Sequence, residues 1–377
     1  MAMLAVMWLL DLRRDRPNAA STEPAPAAAS SGAAASLQFP GETHLANIRQ
    51  ITFGGQNAEA YFSADDKQLI FQHQGQFYDP PSNAPVGPDV PCDQQYTIAL
   101  DAAGGTAQPT PKMVSNGRGR TTCGYFFPAG DRILYSSTFS GGAACPPPPD
   151  YSQGYVWPIY DTYSIYAAKP DGGDPRPLAA AKGYNAEATI SRDGKRVVFT
   201  SMRNGDLDIF SMNADGSDVR QLTHELGYDG GPFWSYDGAK IVYRAEHPQS
   251  PEKVKDYKDL LARGLIRPEN LELWVMNADG SGKRQVTRNG AANFAPYWLP
   301  DGKRIIFSSN VGNAGDPSGF DLYLMNEDGT GLQRITRYSG FDAFPMLSSD
   351  GKRLVWASNR NGRVEHETDI FIADWVE

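Results

Sequence analysis

Apolar and polar residues alternate along most of the chain beyond residue 45. The runs DLDIFSM (206–212), LELWVM (271–276) and DLYLM (321–325) keep a period of two, which predicts half-buried β-strands. Each is followed by NADGS or NEDGT and then by RQLT, RQVT or QRIT. An Asp-Gly pair between two such runs predicts a tight turn, because Gly accepts a positive φ, so each segment reads as a hairpin. A second hairpin lies upstream of each: TISRDGKRVVFTS (189–201), FWSYDGAKIVYRA (233–245), YWLPDGKRIIFSS (297–309) and, further on, MLSSDGKRLVWAS (346–358). Two weaker copies, YFSADDKQLIFQ (61–72) with YTIALDAAGG (96–105) and YFFPAGDRILYSS (125–137) with YSIYAAKPDGG (163–173), bring the number of four-stranded units to six.

A four-stranded unit cannot bury both faces alone, but six stacked around an axis can, which predicts an all-β, six-bladed β-propeller. The ends of the chain fit this arrangement. TDIFIADWV (368–376) matches a third strand, and IRQIT (48–52) matches the fourth strand that would complete it. The N-terminal strand is therefore expected to join the last blade and close the ring, removing two exposed sheet edges. The Asp-Gly turns lack the dense acidic ligands of a calcium loop and read as turns alone.

Composition agrees with short strands and tight turns: 38 Gly, 28 Pro and 11% aromatic residues among 377. A net charge of −9, with no basic stripe, argues against nucleic acid as a partner. The opening MAMLAVMWLL is apolar but too short to span a bilayer, so no integral membrane span is expected. It resembles a clipped signal-peptide core, although the charges of DLRRDR follow it rather than precede it. Residues 16–36, rich in Pro, Ala and Ser, cannot bury a core and read as a disordered tether. The expected division is 1–40 for this N-terminus and tether, and 45–377 for a propeller that is expected to be monomeric.

The patterns S-x-D-G-K-R-(I/V)-(I/V)-F-x-S and D-(I/L)-(F/Y)-x-M-N-x-D-G-(S/T)-x-x-x-Q-(L/V)-T resemble the TolB-type, WD40-like propeller repeat, over roughly residues 45–377. The resemblance implies an extracytoplasmic or periplasmic six-bladed propeller. TolB also carries a mixed α/β domain before its propeller and works in a periplasmic protein complex, whereas only a tether precedes blade one in this sequence. The implied protein is a propeller-only, TolB-like one.

Insertions break the period in three units, at 75–94, 140–160 and 247–270, and all fall between second and third strands, hence on one face. That decorated face is the expected working face. Within the third insertion, SPEKVKDYKDLLARGL (250–265) predicts a short helix with Ser250 as N-cap, Pro251 at its first position, and Val254, Tyr257, Leu260 and Leu261 on the packed side. The second, CPPPPDYSQGYVWPIY, combines four prolines with Tyr151, Tyr155, Trp157 and Tyr160, which could grip a peptide or sugar or fold back as a private core. Entrances of the innermost strands place Glu59, Cys123, Glu187, Asp229, Asn293 and Asp342 near the mouth of the central channel. Such an acidic ring could hold a cation or pair with Arg203, Arg244 and Arg360, or water could fill the channel instead. Cys92, Cys123 and Cys145 map to the decorated side of blades one and two. One disulfide is expected there, Cys92 with Cys123 first and Cys92 with Cys145 second. No cofactor beyond the channel cation is implied.

No G-x-S-x-G, HExxH or Gly-rich phosphate loop is present, so the sequence names no catalytic residue. Two readings stand: a non-catalytic binding or scaffold propeller of the cell envelope that recognises a protein or peptide, and a carbohydrate-active enzyme using the channel-mouth acids.

Overall fold

The computed structural model describes residues 37–377 apart from 102–103, 106–109, 153, 179 and 314–318. The apolar N-terminus and nearly all of the expected tether lie outside the described residues. Six four-stranded antiparallel sheets form the blades of a β-propeller. Blade one spans Gln56 to Met113, blade two Thr121 to Leu178, blade three Asn185 to Gln221, blade four Tyr228 to Gln285 and blade five Asn293 to Arg334. Blade six contains Asp342–Leu347, Arg353–Ser358 and Asp369–Trp375, and its fourth strand is Leu45–Gln50 from the other end of the sequence.

The repeat's Gln-x-Thr explains that closure at atomic level. In blade three the hydroxyl of Thr223 accepts the Ile209 amide at 2.8 Å, while the Thr223 hydroxyl and the Gln221 amide both donate to Asp208, at 3.2 and 2.8 Å. In blade six Thr52 accepts the Ile370 amide at 2.8 Å, and Thr52 and Gln50 donate to Asp369, both at 2.9 Å. The same lock thus joins consecutive strands in one blade and the two ends of the sequence in the other. Arg360 adds a second tie, reaching Glu42 at 3.1 Å and Asp342 at 2.8 Å, all three side chains being buried.

The third strands of blades three and five, Asp208–Asn213 and Asp321–Asn326, are buried on both faces up to their final Asn, whereas Glu272–Asn277 of blade four keeps the half-buried alternation its pattern suggests. Neighbouring blades cover both sides of the first two, and the buried Asp at the head of each accepts the return strand's Thr together with Gln221 in blade three or Arg334 in blade five. The turns are self-contained. Ser191 donates to Asp193 at 2.6 Å and accepts the Arg196 amide, and Ser63, Ser235 and Ser348 repeat the arrangement. In the outer turns Asp215, Asp279 and Asp328 each accept the amide and hydroxyl of the residue two further on.

Every innermost strand carries a bulge at the same place, where its pairing with the second strand slips. The bulge residues have positive φ: Glu59 52°, Cys123 54°, Glu187 57°, Gly231 57°, Ala295 49° and Phe344 59°. Five of the six are not glycine, and that conformation is costly for a side chain unless tertiary structure enforces it. The bulge takes the residue out of the ladder, and all six line one cavity at the centre of the ring.

Candidate functional site: the propeller axis and its lid

The channel-mouth residues fall in two layers rather than the single ring expected. Glu59, Cys123 and Glu187 are bulge residues. Asp229, Asn293 and Asp342 lie two positions earlier in their strands, level with Asn57, Thr121 and Asn185. The axial cavity measures about 30 Å³ and is lined by Glu59, Cys123, Glu187 and Arg244 among others. Arg244 donates to Glu187 at 2.5 Å, and the carboxylate also accepts Thr200 Oγ1 at 2.8 Å, the Tyr228 hydroxyl and the Gly231 amide. Burial pushes the Glu59 carboxyl up, and the charge of Glu187 adds to this while Arg244 opposes it. Burial and the neighbouring Glu59 raise the Cys123 thiol well above its ordinary value, which keeps it protonated and unreactive.

The other acids of the expected ring also have protein partners. Asp342 receives Arg360 and the Trp356 indole, the latter at 3.0 Å. Asp229 pairs with His247 at 3.0 Å; burial raises its carboxyl, and the bond to His247 pulls it back. Asn293 donates to the Leu271 carbonyl at 2.8 Å and accepts from Ser309. Arg203 instead holds Ser201 and Asn185, at 3.0 and 3.1 Å, beneath the rings of Phe199 and Phe210. Among the described residues no three His, Cys, Asp or Glu side chains converge as a metal centre would need.

On the decorated side the three insertions merge into one lid. The first is not a loop but an extension of its blade, as Gln68–Tyr78 and Pro85–Ala99 run on as a hairpin that pairs Gly75 with Val90 and Tyr78 with Pro85. The disulfide joins Cys92 of this hairpin to Cys145 of the second insertion, which makes the second expected pairing the observed one and leaves Cys123 as a thiol. The bulge explains the difference, because it turns Cys123 towards the axis and away from the rim. Further along, Trp157–Pro158 pairs with Leu265–Ile266 of the third insertion as a two-stranded sheet. The helix of that insertion runs Pro251–Leu261, with the Ser250 hydroxyl accepting the Lys253 amide. Leu260 is buried, while Tyr257 and Leu261 pack on the rim cluster.

Trp157 is buried against Tyr228, and the Arg244 guanidinium lies 5.1 Å from the Trp157 ring. Tyr155 accepts a hydrogen bond from the Trp157 indole, and Tyr160 donates to the Pro147 carbonyl at 2.6 Å. Burial raises the Tyr151 hydroxyl to about 12. The loop aromatics therefore lie against their own lid, with Tyr151, Tyr155 and Tyr160 retaining some exposure. Two features escaped the sequence: His247 as the partner of Asp229, and the Arg120–Asp93 pair, 2.5 Å apart, buried beside Cys92. Neither lies in a motif: His247 reaches back to Asp229 from the start of its own blade's insertion, and Arg120 reaches Asp93 across the boundary of blades one and two.

No protein-family model matches the chain. Over 43 residues, 11% of its length, it is 49% identical to dipeptidyl-peptidase 5 of Porphyromonas gingivalis, and that stretch spans 6% of the peptidase. Among solved structures, the putative TolB of Agrobacterium tumefaciens matches with a TM-score of 0.53 and 19% identity, over 86% of this chain and 91% of that one. TolB of Acinetobacter baumannii gives 0.48 and 16%, over 84% and 65%. An oligogalacturonate lyase of Vibrio parahaemolyticus gives 0.46 and 13%, over 87% and 91%. The fold is that of the TolB-like six-bladed propellers. At these identities the likeness defines architecture alone, so activity has to be argued from the axis and the lid.

Proposed function

We propose that this protein is a non-catalytic binding propeller of the cell envelope, which engages a protein or peptide through the lid on its decorated face. The observation that carries this reading is the state of the axial acids. Glu187 is neutralised by Arg244, Asp342 by Arg360 and Asp229 is paired with His247. Glu59 faces a cavity of about 30 Å³, room for a water or two but not for a sugar ring. A glycosidase needs two carboxylates flanking a bound sugar, and Glu59 with Glu187 would have to open that cavity first. A cation is not required either, since Arg244 supplies the opposing charge.

The lid has the properties of a docking surface. The disulfide and the small sheet fix it, so that little conformational entropy remains to be lost on binding. Its outer surface carries exposed Pro80, Pro81, Pro88, Pro147 and Pro148, beside a helix that interleaves Lys253, Lys255 and Lys258 with Glu252, Asp256 and Asp259. A disulfide of this kind persists in oxidising compartments, which supports an extracytoplasmic location. Among the described residues no helix is long and apolar enough to cross a membrane.

Affinity capture from an envelope extract tests the reading. A partner retained by the wild type and lost when residues 146–156 are replaced by a Gly/Ser linker supports it. A partner held equally by both proteins, or a glycan turned over by the wild type and not by Glu59→Gln, rejects it.

A further inference from the structure

The larger axial opening lies on the face opposite the lid. A ring of Tyr61, Tyr125, Phe233 and Tyr297, with successive centroids 5.2 to 6.4 Å apart, floors the acidic cavity and separates it from a funnel of about 250 Å³. The rim of that funnel comes from the S-x-D-G turns of the repeat. In blades three, four and six the Ser and Asp of the turn spend their polar atoms on each other and on the backbone, and Gly supplies the positive φ. The residue between Ser and Asp takes no part in the turn's hydrogen bonds. These intervening residues or their equivalents, Ala64, Pro128, Arg192, Tyr236 and Ser349, line the funnel. Five of the six blades thus present the variable side chain of this turn to a common space.

Arg192 is exposed, forms no ion pair among the described residues, and holds its guanidinium 4.3 Å from the centre of the Tyr236 ring. Tyr236 in turn stands edge-on to Tyr297, their centroids 6.4 Å apart. Asp66 also lines the funnel, its carboxylate held in place by the Ser349 amide, at 2.9 Å, and the Ser349 hydroxyl, at 2.5 Å, and it makes no ion pair with Arg192. The funnel thus offers an aromatic wall with one oriented guanidinium at the rim, across from an acid fixed by Ser349. Such a set suits a ring stacked on tyrosine with an acidic group on arginine. The volume admits one ring and its substituents.

We propose that the undecorated face binds a small ring-bearing carboxylate in the axial funnel, with Tyr236 and Tyr297 against the ring and Arg192 on the carboxylate. The shared chemistry could come from a sugar acid or an aromatic acid, and the test separates them. Titrate the full chain with glucuronate and with phenylacetate, each beside its uncharged counterpart, glucose or benzyl alcohol, following protein signals by NMR. Saturable binding of one acid, weakened about tenfold or more by Arg192→Gln and by loss of the carboxylate, is the expected result, since a charge-assisted pair carries most of the selectivity. Arg192→Lys should recover part of the affinity, because it restores the charge without the planar stack. Arg192 is exposed in a turn whose hydrogen bonds it does not make, so these variants are expected to fold; matching backbone spectra confirm it. No shift with either acid, equal binding of acid and uncharged counterpart, or an unchanged affinity in Arg192→Gln overturns the proposal. Because the lid is untouched, loss of this site leaves envelope capture intact, and the two readings fail separately.

Discussion

Arg244 of blade four and Glu187 of blade three form a buried ion pair across the blade boundary, 2.5 Å apart, and Tyr228 serves both partners. Burial opposes the charge on Arg244, but Tyr228 and Glu187 together hold its guanidinium above its ordinary value. Removing one member leaves the other charged and desolvated. Arg244→Leu is expected to cost about 3–5 kcal/mol of unfolding free energy, and Arg244→Leu with Glu187→Leu less than that, because the stranded charge is then gone. Urea unfolding of the two variants decides it; a double variant weaker than the single one contradicts the pairing.

The lid should depend on its covalent anchor. The Cys92–Cys145 bridge closes a loop with a sequence separation of 53, for which chain entropy gives at most about 4 kcal/mol. Mild reduction, or Cys145→Ser, is expected to expose the 141–156 segment to protease well before the blades unfold, since the pairing of Trp157–Pro158 with Leu265–Ile266 is a short sheet. Mass mapping of the first cleavage sites checks this; first cuts in blade five would count against a lid that opens as a unit.

The junction of blades three and four should weaken as pH rises. Burial, and then the charge of Asp229, push Asp208 up to about 7. A raised carboxyl stabilises the fold fully below its unfolded value and loses that contribution as pH climbs through the folded one. His247 acts in the same direction: burial would lower it, but the bond to Asp229 prevails and raises it above 6.5, so its contribution also fades as pH rises through the raised value. Amide exchange in Asp208–Asn213 and Tyr228–Trp234 is therefore expected to quicken, beyond the intrinsic chemical rate, between about pH 4 and 7 on account of Asp208, with His247 adding to the loss from about pH 6.5 upward. Asp208→Asn should flatten the change; a wild type whose protection is constant over that window contradicts the assignment.

Ring closure rests on Thr52 and Asp369 as well as on backbone pairing. Thr52→Val keeps the shape and removes the hydroxyl that accepts the Ile370 amide, leaving that buried donor without it, while Asp369 keeps the Gly54 amide and the Asn57 side chain. A loss of about 1–3 kcal/mol is expected, with blade six fraying first. Thermal unfolding combined with exchange at Leu45–Gln50 measures both; a change smaller than 0.5 kcal/mol, on the order of an ordinary surface substitution, would show the lock to be dispensable.

The repeats, their hairpins and the closing strand could all be read from residue order, because each is a local pattern of period two bounded by Asp-Gly. The layers at the axis could not. Glu187 and Asp229 both sit near the start of an innermost strand, and a two-residue offset keeps a side chain on the same face, so alternation cannot separate the bulge position from its neighbour. The lid was legible in its parts: Ser250 and Pro251 announced the helix, and Pro146–Tyr160 announced a stiff aromatic segment. Its assembly was not, because Trp157 meets Ile266 only once blades two and four flank blade three. The variable residues of the S-x-D-G turns looked like noise within a motif, and their common destination depends on radial stacking.

Binding through the lid and the absence of chemistry at the axial acids, both proposed above, can be tested together. One set of captures from envelope extract, using the wild type, the 146–156 linker variant and Glu59→Gln, tests them most directly, with a parallel assay of glycan turnover on the same three proteins. The expected result is a partner held by the wild type and by Glu59→Gln, lost from the linker variant, and no glycan turnover in any of them. A glycan consumed by the wild type and spared by Glu59→Gln, or a partner indifferent to the lid, would contradict the proposal.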